Sequence, residues 1–337
     1  MIFFKKKRAA IGMQFNWIFV LIAGGIFLIM ITSIIMTQQS ASNQEISAKL
    51  IQKLNSYFKI EQESNVFREI KTYQTVIDFR CTEEGVSDYR VSGITQQTPV
   101  EPIFAPGALS GQTIYLWTMD WKAPFKIMSF SFVSNPKTVF YFYNDSQNED
   151  MVRKVINEFP KNLSRNMSYK VGKNPDNPDV DLGETNYDNY KVIYLNHDVT
   201  DTEYPYVEIT IENDMDGYGE IFFEEESYFL GKASLYGAIF SEDKESYECN
   251  MEKAFKRYKI LSNLMLSRTN ELKAGYSYSS CADNYYNAVV NLKTINKTTS
   301  LGFNELTEES IEELYKAVNS LERANDYLAL RGCPVLY

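Results

Sequence analysis

The chain has 337 residues, of which 44% are hydrophobic, 14% aromatic and 23% charged, and it carries a net charge of −10. This composition excludes a disordered or collagenous chain, and the acidic balance argues against a general nucleic-acid binder. A single histidine, His197, excludes any zinc site that needs two.

Lys5, Lys6, Lys7 and Arg8 form a basic cluster, and the next charged residue is Glu45, after a gap of 36 residues. Within that gap, Phe15 to Met36 is a nearly unbroken apolar run of 22 residues. As a helix it would measure about 33 Å, enough for a hydrocarbon core of about 30 Å. The run is longer than the apolar region of a secretory signal peptide, about 7–15 residues. The expectation is a retained signal-anchor, with the lipid bilayer as partner over residues 13–37 and a basic tail over 1–12. Basic residues stay in the cytoplasm, so the remainder is placed outside the cell membrane. That remainder holds all 44 acidic residues.

Residues 45–58 put Ile46, Leu50, Ile51, Leu54 and Phe58 on one helical face, so residues 38–65 read as an amphipathic stalk. From about Val66 the period changes to that of strands. Residues 66–80, 89–95, 113–121 and 127–133 read as strands, with Tyr115, Trp117, Met119 and Trp121 alternating onto one face. Residues 138–143, a helix over 149–159 and a strand over 190–195 imply a small sheet with a crossover. Residues 206–212 and 219–224 read as a hairpin. Three helices over 250–272, 281–295 and 307–330 suggest an antiparallel bundle, the last one opened by Thr307 and closed before Gly332 and Pro334. The predicted fold class is α+β, with a mixed β and α/β part over 66–245 and a helical bundle over 246–337.

The cysteines are Cys81, Cys249, Cys281 and Cys333. An even number on the outer side of a membrane suggests two disulfides, with three possible connectivities. In an up-down-up bundle, Cys281 opens the second helix at the end where the third helix finishes before Cys333. Cys249 lies before the first helix, at the opposite end. This order favours Cys281–Cys333 and leaves Cys81–Cys249 to tie sheet to bundle. Sequons at Asn144, Asn162, Asn166 and Asn296 are candidate glycosylation sites of an outward-facing glycoprotein.

No nucleophile elbow, phosphate loop or dinucleotide loop accompanies His197. Glu212, Asp214, Asp216 and Gly217 faintly follow a calcium loop, but its closing carboxylate position is Phe223. Asp176, Asp179, Asp181, Glu184 and Asp188 form a second acidic stretch. No cofactor, metal or catalytic residue is expected. Tyr276, Tyr278, Tyr285 and Tyr286 cluster around Cys281, and exposed tyrosines suit protein or glycan contact.

The basic stretch, Gly12 and an apolar helix running into an amphipathic one resemble the start of archaeal type IV pilin-like proteins. The resemblance implies cleavage after Gly12, but Trp17 stands where many pilins carry a glutamate. The wider layout is similar to uncharacterised single-span archaeal envelope proteins. The expected function is an anchored, non-enzymatic binding or scaffold protein whose partner is an envelope protein or glycan. The alternatives are a pilin-like filament subunit and an anchored hydrolase using His197.

Overall fold

The computed structural model describes residues 8–60, 65–81, 86–98, 100–144, 149–164, 167–171, 188–196, 205–212 and 214–337. The chain divides into two compact units, Met1–Gln52 and Lys53–Tyr337.

Helix α1, Arg8–Ile60, runs 53 residues without a break, so the apolar run and the amphipathic stretch are one helix. Large side chains from Trp17 to Met36 are exposed on every side, Phe19 at 72% and Ile29 at 70%. The helix is long and apolar enough to cross a membrane. Thr32 Oγ1 donates to the Leu28 carbonyl at 2.7 Å and Thr37 Oγ1 to that of Ser33 at 2.8 Å, so both hydroxyls are satisfied within the helix. Further along, Leu50, Ile51, Leu54 and Phe58 are buried, as the amphipathic pattern requires.

The second unit is built on two six-stranded sheets. The first contains β1 (Phe67–Cys81), β2 (Ser87–Val91), β3 (Ile94–Thr98), β4 (Ile103–Phe104), β5 (Ala108–Lys122) and β6 (Lys126–Ser134). Its order is β3-β2-β1-β5-β6-β4, antiparallel except where β4 meets β6. Residues 89–95, expected as one strand, are the turn of the β2–β3 hairpin and its flanks. Ser92 (φ 48) and Gly93 (φ 88) both sit at positive φ, which a primed hairpin turn demands.

The second sheet contains β7 (Thr138–Asn144), β8 (Met167–Val171), β9 (Asn189–Leu195), β10 (Tyr206–Glu212), β11 (Tyr218–Phe222) and β12 (Glu226–Leu230). Its order is β12-β11-β10-β9-β7-β8. The four strands from β10 to β8 are mutually parallel, and β10, β11 and β12 form an antiparallel meander. Helices α2 (Glu149–Glu158) and α3 (Lys161–Ser164) lie in the crossover from β7 to β8. Gly219 is required at its register position in β11, because a Cβ there would meet the Thr210 carbonyl oxygen at 1.9 Å.

Helix α4 (Lys232–Phe240) went unread in the sequence, and it occupies the centre of the unit. Every residue from Ala233 to Phe240 is buried. It packs on β4, β5 and β6 of one sheet and on β10 and β12 of the other. A helix covered on all sides is apolar on all sides, and so has no amphipathic period to detect. Three longer helices follow: α5 (Lys244–Gly275), α6 (Ala282–Thr298) and α7 (Glu308–Leu330). α5 packs on α6, and α6 on α7. α5 begins at Lys244 with Asp243 as N-cap, so Cys249 lies inside that helix rather than before it. Thr307 caps α7 in a reciprocal capping box with Ser310.

The core is largely aromatic. Trp117 lies within 5.0–5.5 Å of Phe132, Phe159 and Tyr236, ring centre to ring centre. Trp121 stacks on Phe130 at 5.5 Å and Phe255 at 5.8 Å. Three buried polar tips find carbonyls: Trp121 Nε1 donates to Leu230 at 2.8 Å, the Tyr236 hydroxyl to Val155 at 3.0 Å and the Tyr247 hydroxyl to Tyr228 at 2.9 Å. Large rings can therefore be buried without an unmet hydrogen bond.

The cysteines are bridged as Cys81–Cys249 and Cys281–Cys333, with Cα separations of 5.9 and 6.3 Å. The helix-order argument gives this pairing.

Gly237 tests how tightly α4 is held. Alanine at an ordinary mid-helix glycine gains about 1 kcal/mol. Here its Cβ would sit 2.9 Å from Cε1 of the fully buried Phe104. We expect Gly237→Ala to destabilise the detergent-solubilised chain by about 1–3 kcal/mol, read as a lowered denaturant midpoint at unchanged slope.

Candidate functional site

Three features of the second unit could bind or react: a polar seam beside one disulfide, a pocket of mixed charge and an acidic groove.

The seam joins α5 to the first sheet. Asn250, Lys253 and Arg257 recur at i, i+3 and i+7, forming a polar stripe beside the apolar one. Asn250 Nδ2 donates to the Ile103 carbonyl at 2.9 Å, and its Oδ1 accepts from the Ile103 N–H at 3.1 Å. Lys253 Nζ donates to the carbonyls of Thr98 at 3.0 Å and Glu101 at 3.3 Å, and contacts Ser87 Oγ at 2.5 Å. Arg257 Nε donates to the Ile127 carbonyl at 2.9 Å. Ser87 Oγ also reaches Asn250 Oδ1 at 3.0 Å and Cys81 Sγ at 3.2 Å, which ties the Cys81–Cys249 bridge into the network. A serine beside a lysine is a residue pair used in acyl transfer. Ser87 is only 4% exposed and its hydroxyl is shared among these partners, so here the pair holds structure.

Burial lowers Lys253 to a pKa of about 7, with Glu101 opposing the shift. A second buried lysine, Lys191 on β9, is likewise lowered by burial to about 7, with Asp243 and Glu242 opposing. Lys191 Nζ donates to the carbonyls of Ala238 at 3.1 Å and Ser241 at 2.5 Å, at the C-terminal end of α4. A cation suits that end of a helix.

The pocket has a volume of about 490 Å³ and lies between the end of β5, the N-terminus of α4 and α7. Trp121 and Tyr315 provide aromatic lining, Lys122 and Lys232 bring positive charge, and Asp120, Asp216 and Glu322 bring negative charge. Asp120 is committed to Lys126 at 2.8 Å and Ser129 at 2.7 Å. The lining contains no serine, cysteine or histidine, and its polar groups are two lysines, carboxylates and the amides of Asn65 and Asn319. The groove is larger, about 880 Å³, and is lined by Glu224, Glu225, Glu242, Asp243, Glu245 and Glu248 over Tyr206 and Phe223. Burial raises Glu242 and Glu248 above the ordinary carboxylate range. Among the described residues, no three metal-ligating side chains converge.

His197, Asn166 and the acidic stretch from Asp176 to Glu184 lie outside the described residues. Asp188 pairs with Lys137 at 3.1 Å. In the 212–217 turn, Asp214 Oδ1 accepts from the Met215 N–H at 2.7 Å and its carbonyl from the Gly217 N–H at 2.8 Å. Asn144 ends β7 and Asn162 lies half-buried on α3. Asn296 Nδ2 is buried without a partner, and its Oδ1 accepts from Ser262. Of the four tyrosines, Tyr285 is buried and donates to the Pro334 carbonyl at 2.8 Å, whereas Tyr278 and Tyr286 are exposed. The seam was not foreseen, although the spacing of Asn250, Lys253 and Arg257 was there to be read. No family model, curated protein or solved structure matches the chain.

The two lysines make stability depend on pH. Unfolded, each keeps its proton to about pH 10; folded, each releases it near pH 7. The unfolded state therefore binds more protons across that window, and stability rises with pH through it. We expect the denaturation midpoint to climb between about pH 7 and pH 10, with Lys253→Met removing about half of the slope because one of two protons is lost.

Proposed function

We propose that the chain is a membrane-anchored protein whose outer domain binds or scaffolds a partner of the cell envelope, without catalysing a reaction. The observation that carries this reading is the exposed, wholly apolar stretch of α1 from Trp17 to Met36. Water does not accommodate such a surface on every side of a helix, and lipid does. The basic cluster before it sets the N-terminus inside. The two disulfides suit an oxidising compartment for the rest. The mixed-charge pocket and the exposed tyrosines beside Cys281 support a binding role.

A second reading, the pilin-like subunit, is favoured by one feature: α1 passes unbroken from its apolar into its amphipathic part. N-terminal sequencing of protein extracted from membranes separates the two. A start at Met1 or Ile2 supports the anchored binder, and a start at Met13 shows processing after Gly12 and replaces it with the filament subunit.

Topology gives a further check. Protease added to intact cells is expected to digest the region after residue 37, and full protection would reverse the orientation. If the outer domain is glycosylated, peptide mapping is expected to find the glycan on Asn162 and not on Asn296. Attachment at Asn296 would have to pull its buried amide out of the α5–α6 contact.

A further inference from the structure

The two disulfides differ in their surroundings. Cys281 and Cys333 are 6% and 8% exposed, at the start of α6 and just past the end of α7. Cys81 and Cys249 are both half-buried. Cys81 lines a small cleft, with room for about one water, together with Arg80, Ser87, Asp88, Ser246 and Asn250. Its sulfur accepts a hydrogen bond from Ser87 Oγ at 3.2 Å, and Ser87 is itself contacted by the Lys253 ammonium. Arg80 and Asp88 pair across the β1–β2 ladder, one register position from the Cys81–Ser87 pair.

We propose that Cys81–Cys249 is a thiol-exchange site, opened by a dithiol reductant while Cys281–Cys333 stays closed. A thiolate of the reductant attacks Cys81 Sγ and forms a mixed disulfide. The Cys81–Cys249 bond breaks, and its electron pair leaves on the Cys249 sulfur. The second thiol of the reductant then attacks the mixed disulfide and releases Cys81. The reductant ends as a disulfide, having given two electrons and two protons to the two cysteines. The Ser87 hydroxyl stabilises the thiolate form of Cys81, because a hydrogen bond to a charged acceptor is stronger than one to a neutral sulfur. Accessibility and a positive neighbourhood are what make one bridge exchange faster than another. Opening the bridge frees the end of β1 from α5, leaving Asn250, Lys253 and Arg257 to hold the seam.

The test uses the full chain in detergent, with dithiothreitol as the reductant. Samples are quenched with N-ethylmaleimide at intervals, and alkylated peptides are quantified by mass spectrometry. Cys81 and Cys249 should become labelled at least about tenfold faster than Cys281 and Cys333. The attacking species is an anion, so the facing charges give a signed control. Arg80→Gln should slow the opening about two- to fivefold, and Asp88→Asn should speed it by a similar factor. Mere loosening of the fold would speed both variants. Equal rates for the two bridges, faster opening of Cys281–Cys333, or Arg80→Gln failing to slow the reaction would each overturn the proposal.

Discussion

The second unit depends on one constraint: α4 is buried from Ala233 to Phe240, so its polar groups must be satisfied from within the protein. The Ser234 hydroxyl supplies one answer at the start of the helix, accepting from the Leu230 N–H at 2.9 Å and donating to the Leu230 carbonyl at 2.7 Å. Lys191 supplies the other by reaching the carbonyls of Ala238 and Ser241. With the ends met, the helix presents only apolar surface, and both sheets can close on it. The aromatic layers follow from the width of the space that remains. Rings of Trp117, Phe132, Phe159, Tyr236 and Phe240 fill it, and the hydroxyl of Tyr236 reaches past the core to a carbonyl on α2.

Placing a charge-bearing side chain in such a position has a cost. Lys191 and Lys253 each lose hydration that backbone carbonyls only partly replace. Their value is directional, since each ties together segments that no strand ladder joins. Lys253 gathers Ser87, Thr98 and the loop at Glu101 onto α5, while Lys191 fixes the end of α4 against β9. The two lysines hold the sheet–helix junctions in register where hydrophobic contact alone would allow sliding.

Much of this was legible in the sequence wherever a pattern has a period. β5, β6, β7 and β10 announce themselves by alternation or apolar runs, and α5, α6 and α7 by their stripes and caps. The bridge from Cys281 to Cys333 follows from helix direction. What escaped is what lacks a period. α4 is apolar throughout, β4 has two residues, and β12 is too short to separate from its neighbours. The β2–β3 turn did carry a signal, the Ser92-Gly93 pair, which reads as a hairpin turn when flanked by strands. Lys191 and Lys253 were hidden for another reason. A lysine in a sequence is read as a surface residue, and only its position against exposed carbonyl ends shows that it is buried. The pocket was the least legible, because it brings together β5, α4 and α7, which are far apart along the chain.

The connectivity of the disulfides has a consequence for biogenesis. The bridges join the first cysteine to the second and the third to the fourth, although 168 residues separate the members of the first pair. A chain delivered N-terminus first into an oxidising compartment meets its cysteines in that order. Cys249 arrives before any competitor, and oxidation by order of arrival yields the native bonds without reshuffling. Only once Cys281 has emerged with Cys81 still unpaired does a wrong partner exist. The spacing of 32 residues between Cys249 and Cys281 therefore sets the interval within which the first bridge must close.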